Sequence, residues 1–143
     1  MRNKGQTSTE YMMMIGLSLL IIMILLAVAN YMTITTNYQM NVNTAVQAVD
    51  TLKVAADFVY IHGHPTKTTV KIRIPPGADA GSTYANGKTI NIGLEILYGT
   101  NDIYAITKGE LHQNSTLPGT EGYYVMVINS TSDGKIMISE KEF

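Results

Sequence analysis

The sequence predicts an α+β protein in which one long N-terminal α-helix is followed by a small antiparallel β-sheet or barrel head. Three observations carry this. Only 15% of the 143 residues are charged, against about 25% in an average globular chain, and not one Asp, Glu, Lys or Arg occurs between Glu10 and Asp50. No proline precedes Pro65, and Gly16 is the only glycine between Gly5 and Gly63, so nothing in that stretch interrupts a helix. After Pro65 the hydrophobic period changes to two. Three segments follow: residues 1–5, a short basic leader; 6–62, the helical arm; and 66–143, the head. The head alone is near the lower size limit for an independent domain, so a multi-domain enzyme is not expected.

The arm begins with Tyr11 to Ala29, nineteen apolar or small residues that would rise about 28 Å as a helix, close to the roughly 30 Å hydrocarbon core of a bilayer. Arg2 and Lys4 precede this stretch and no cation follows before Lys53. The positive-inside bias therefore predicts a cytoplasmic N-terminus and an extracytoplasmic head. Residues 30–47 are uncharged but mix Asn, Thr, Gln and Tyr with apolar residues, which suits burial among other helices. From Val42 the positions Val42, Ala45, Val49, Leu52, Ala56 and Val59 step by three and four, the pattern of one packed helical face. Asp50, Lys53 and Asp57 fall on another side, spaced to pair along the helix. A helix from about Thr7 to Ile61 would be roughly 80 Å long, ended by His62-Gly63-His64-Pro65.

In the head, Val70, Ile72 and Ile74 alternate with Lys71 and Arg73 before Pro75-Pro76-Gly77 breaks the run. Strand-like runs follow at Ile90 to Leu97, Ile103 to Thr107, Tyr123 to Ile128 and Ile136 to Ser139. Asn86-Gly87, Gly99 to Asp102, Lys108-Gly109, Pro118-Gly119 and Asp133-Gly134 are the expected turns. Packing against the outer half of the helix would complete the core of so small a sheet. Two glycosylation sequons, Asn114-Ser115-Thr116 and Asn129-Ser130-Thr131, lie near expected loops, and an extracytoplasmic head would make both candidates for modification.

The start of the chain admits three readings: an uncleaved single-pass anchor, a conventional signal peptide cut after Ala27-Val28-Ala29, or processing at the polar block ahead of the apolar run. Lys4-Gly5-Gln6-Thr7-Ser8-Thr9-Glu10-Tyr11, followed at once by a hydrophobic helix, resembles the class III signal sequence of type IV pilins, in the Q-x-S-x-E-[YF] variant of euryarchaeal pilins. The Ile-Pro-Pro-Gly run also looks like one recurring in archaeal pilins. The resemblance implies cleavage by a prepilin peptidase between Gly5 and Gln6, after a membrane-bound precursor stage. It further implies assembly of copies of the chain into an extracellular type IV-like pilus serving surface attachment or cell contact, with the helices as filament core. A pilus assembly platform and ATPase would be partners. It places Glu10 at the fifth mature position, where the family's acidic residue sets axial register against the freed amine of a neighbouring subunit. The chemistry agrees, since a carboxylate heading an apolar helix is costly without a cation. If the conventional signal or anchor reading holds, the product is instead a secreted or membrane-anchored β-domain with a binding role.

Other chemistry is sparse. Cysteine is absent, which excludes disulfides and thiolate sites. A net charge of -1 without a Lys/Arg block argues against nucleic acid as a partner. Gly81 to Thr89 resembles a phosphate-binding loop, but the glycine spacing is wrong and a strand rather than a helix is expected after it. His62 and His64 lack an evident third metal ligand. No catalytic constellation appears, so no enzyme activity, cofactor or metal is expected. Asp79, Asp102 and Asp133 read as turn residues. The head tyrosines Tyr84, Tyr98, Tyr104, Tyr123 and Tyr124 read as core or strand packing, with an adhesive surface as the sharper reading. The six methionines of the arm are flexible apolar packing.

Overall fold

The structure, a computed structural model, describes residues 4–96 and 99–141, with the side chains of residues 4–7 and of Ile96 outside the description. The element order is α1 (Lys4–His62), β1 (Lys67–Ile74), β2 (Ala78–Ile96), β3 (Gly99–Leu111), β4 (Gly122–Ser130) and β5 (Ile136–Glu140). The expected α+β architecture is therefore present, helix first and five strands after it. Residues up to Gln39 form one unit and those from Met40 onward a second.

The first unit is the leading part of α1. Every described side chain from Ser8 to Met40 is exposed, and an apolar window of mean hydropathy 2.8 has none of its surface covered by the rest of the chain. Such a stretch is a candidate membrane span or signal anchor. Three of its hydroxyls bond back to the helix. Ser18 Oγ donates to the Met14 carbonyl at 2.8 Å, Thr33 Oγ1 to Ala29 at 2.9 Å and Thr35 Oγ1 to Tyr31 at 3.0 Å. Each bond runs back one helical turn and removes a polar group that would otherwise require water or a neighbour.

The second unit holds the core. From α1 it takes Ala45, Ala48, Val49, Leu52, Ala55, Ala56 and Val59; from the sheet it takes, among others, Ile72, Ile74, Ile90, Ile92, Leu94, Leu111, Met126, Ile128, Ile136 and Ile138. The expected helical face is the buried one, widened by Ala48 and Ala55 and with Val42 only partly covered. Four alanines on that face let the helix sit close to the sheet. At its end, Gly63 adopts φ +69° and its N–H donates to the Val59 carbonyl at 3.0 Å, a left-handed cap that a residue with a Cβ enters only with strain.

The sheet order is β1-β4-β5-β3-β2. Pairings β1–β4, β4–β5 and β2–β3 are antiparallel. The exception to the expected antiparallel sheet is β3–β5, which run parallel through the single pair Leu111–Ile136. Three expected turn positions change role. Gly99 to Asp102 is paired strand, with Gly93 opposite Asp102. Lys108-Gly109 lies inside β3, where the register against β2 shifts. Tyr60 of α1 is seated over Gly109, so a Cβ there would fall 2.4 Å from the Tyr60 ring.

Asn86-Gly87 falls within β2, yet the chain does reverse there. The Asn91 amide donates to the Ser82 carbonyl, and the Glu95 N–H to the Gly77 carbonyl. An uninterrupted strand would hold residues nine apart roughly 30 Å from one another. The first half of β2 therefore folds back along the second, about Gly87. Ser82 is thereby set beside Asn91, and Gly77 beside Glu95.

Candidate functional site

The feature of α1 that invites a partner is its uncovered leading stretch. Glu10 is exposed near the start of the helix, with Tyr11 and the methionines Met12, Met13 and Met14 directly after it. Among the described residues no Lys, Arg or His forms an ion pair with Glu10. Gly5 and Gln6 belong to the helical backbone, and their surroundings lie outside the described residues, as do Met1, Arg2 and Asn3. The arrangement therefore presents one acidic group at the head of more than thirty residues that the chain itself leaves uncovered. Two kinds of environment satisfy such a surface: lipid, or the helices of other chains.

No family model, curated protein or solved structure matches the chain.

The two sequons differ. Asn114 is exposed in the β3–β4 loop, where its N–H donates to His112 Nδ1 at 3.1 Å and the neighbouring Thr116 N–H donates to the Ile138 carbonyl. Asn129 is one residue from the end of its strand, before the turn at 131–135. It lies within β4, paired with Lys67 on one side and Met137 on the other, because the strand continues two residues beyond Asn129's expected boundary, Ile128, to Ser130.

The remaining candidates fall into structural roles. His62 Nδ1 lies 2.8 Å from the Phe58 carbonyl and its ring packs on Phe58 at 4.1 Å. His64 Nδ1 lies 3.1 Å from the Ser130 carbonyl. Among the described residues no group of three potential ligands converges. The loop-like run from Gly81 to Thr89 is strand throughout, without the helix N-terminus that phosphate binding requires. Asp79 accepts hydrogen bonds from Ser82 Oγ at 2.7 Å and from the Gly81 N–H at 3.1 Å; these bonds hold its carboxyl below the usual value, in the order given. The described head tyrosines lie in strands, and Tyr124 packs against the core. Tyr123 is 81% exposed and Tyr104 64%; Tyr84 is exposed as well, Tyr124 is half-buried with its hydroxyl 2.7 Å from Thr120 Oγ1, and Tyr98 lies outside the described residues.

Three features escaped the sequence pattern. Asp57 does not serve the helix surface: its Oδ1 accepts the Lys108 N–H at 2.7 Å and ties α1 to the irregular part of β3. Asn91 is buried with its amide shared between the Ser82 carbonyl and Asp102 Oδ1, while its own oxygen has no partner. An open groove of about 540 Å³ runs between α1 and β1, lined by Val54, Ala55, Phe58 and Val70.

Proposed function

We propose that the chain is a structural pilin subunit of the archaeal type IV kind. It is inserted with its N-terminus in the cytoplasm, cut by a prepilin peptidase between Gly5 and Gln6, and polymerised with copies of itself into an extracellular filament for surface attachment or cell contact. The observation that carries this is the uncovered apolar helix headed by Glu10, joined to the Gln6-x-Ser8-x-Glu10-Tyr11 block. In the membrane the helix faces lipid. In the filament it faces other helices, and the amine freed on Gln6 of one subunit neutralises Glu10 of the next. The membrane platform and ATPase that extrude such filaments are the machinery this reading requires. It assigns the chain no catalytic residue, cofactor or nucleic-acid ligand.

Mass spectrometry of the N-terminal peptide from native material tests the reading. A mature start at Gln6 is the expected result. A start at Asn30 would make the product a secreted β-domain, a fragment that retains the entire core from Ala45 onward. An intact leader with Arg2 would make it an anchored surface domain.

The extracellular placement of the head also distinguishes the sequons. Glycopeptide mapping is expected to find sugar on Asn114, in an exposed loop, and to find Asn129 bare, because a residue paired on both sides within a sheet is closed to a glycosylating enzyme once the head has folded. An Asn114→Gln chain should lose the glycan mass entirely.

A further inference from the structure

The charges of the head are sorted by position. On β1, Lys67, Lys71 and Arg73 alternate with the buried Ile72 and Ile74 and half-buried Val70, so all three cations stand on the exposed face of this edge strand, with Lys71 and Arg73 also bordering a pocket beside Gln47 and Thr51 of α1. The residues of β4 on that same face are Tyr123, Val125, Val127 and Asn129, with Arg73 stacked 5.3 Å from the Tyr123 ring. No carboxylate interrupts this margin. On the opposite side of the sheet the paired stretch 89–107 contains Glu95 and Asp102 and no Lys or Arg, with Lys88 and Lys108 at its ends. Gly93 pairs with Asp102 and Glu95 with Thr100, so Glu95 and Asp102 are diagonal neighbours on the outward face, about 7 Å apart. Lys71 and Arg73, two residues apart on one strand, are spaced by about 6.7 Å. Two cations and two carboxylates of matching spacing thus occupy opposite margins of one face.

We infer that the β1 margin of one copy, through Lys71 and Arg73, docks beside the β2–β3 margin of the next copy, through Glu95 and Asp102. This rests on the filament reading, which sets heads side by side around a helical core. The contact joins two different surfaces, so it propagates from subunit to subunit instead of closing as a twofold pair. Lysines along an edge strand also discourage unwanted sheet pairing; that accounts for β1 but not for the carboxylates of the opposite margin.

The test uses the full chain in filament-forming cells. Lys71→Glu and Glu95→Lys, each alone, place like charges together and are expected to lower filament number per cell about tenfold, and the double variant to restore it. Neither residue forms an ion pair within the chain among the described residues, and unchanged thermal melting of the detergent-extracted variants checks that the head still folds. Wild-type numbers in both single variants, or a double variant no better than either single one, would overturn the contact while leaving the filament reading intact. A wild-type chain that forms no filaments at all would overturn both.

Discussion

A Gly5→Val chain is expected to remain uncut and to accumulate in the membrane, with filaments reduced below detection by electron microscopy. The peptide bond after Gly5 is the one the pilin reading assigns to the peptidase, and a β-branched side chain beside it blocks close approach of the backbone to a proteolytic site. Cleavage matters beyond trimming, because it creates the amine that Glu10 lacks. Glu10→Ala separates the two steps. That variant should be cut normally, as judged by a mature start at Gln6, yet assemble poorly, because the amine of its neighbour then enters the filament without a counter-charge. Leaving one member of a low-dielectric ion pair unmatched is costly by about 3–5 kcal/mol, enough to suppress incorporation at each step. Glu10→Gln should behave like Glu10→Ala, because it keeps the size and loses the charge. Normal filaments from either variant would remove Glu10 from the assembly mechanism.

The second large effect is expected at Leu52. It is fully buried where α1 crosses the sheet, and Leu52→Ala should destabilise the unit that begins at Met40 by about 2–5 kcal/mol through lost apolar transfer and the cavity left behind. For a domain of this size each kcal/mol corresponds to about 4–8 °C in Tm, so a fall of roughly 10 °C or more should be visible in thermal unfolding of the full chain in detergent. Val54 is the internal control. It lies only two residues away but is 68% exposed, and Val54→Ala should change stability by no more than about 0.5 kcal/mol. Equal effects at the two positions would mean that the helix is rotated relative to the sheet.

Local periodicity made much of this fold readable in advance. The three-and-four stepping from Val42 to Val59 located the buried side of the helix, because burial selects one side chain per turn regardless of what covers it. Ala48 and Ala55 lie beside the stripe marked by that stepping, and with Ala45 and Ala56 their small size sets how near the sheet lies. Alternation found β1 and the second half of β2 for the same reason. The first half of β2, Ala78 to Gly87, is small and polar without alternation, and its place is fixed by contacts with Asn91 and Glu95 that no local pattern encodes. The parallel contact of Leu111 with Ile136 is likewise non-local. At the candidate site, Glu10 and its block are legible because they are contiguous. The sorting of Lys71 and Arg73 away from Glu95 and Asp102 emerges only when strands distant in sequence share a face. Asn129 looked like a loop residue because Asn and Ser favour turns, whereas pairing on both sides overrides that preference.

The hydroxyls of Ser18, Thr33 and Thr35, folded back onto their own helix, bear on how such a subunit could change surroundings. Between Met12 and Ala29 Ser18 carries the one polar side-chain group, so this stretch need neither acquire nor shed hydration when it passes from acyl chains to protein neighbours. It presents one chemical face to both, so the passage has no built-in direction there, whereas the amides of Asn30, Asn37 and Gln39 beyond it gain from polar neighbours. Commitment then falls to the ends of the segment: the charge at Glu10 on one side, and the contacts among heads on the other.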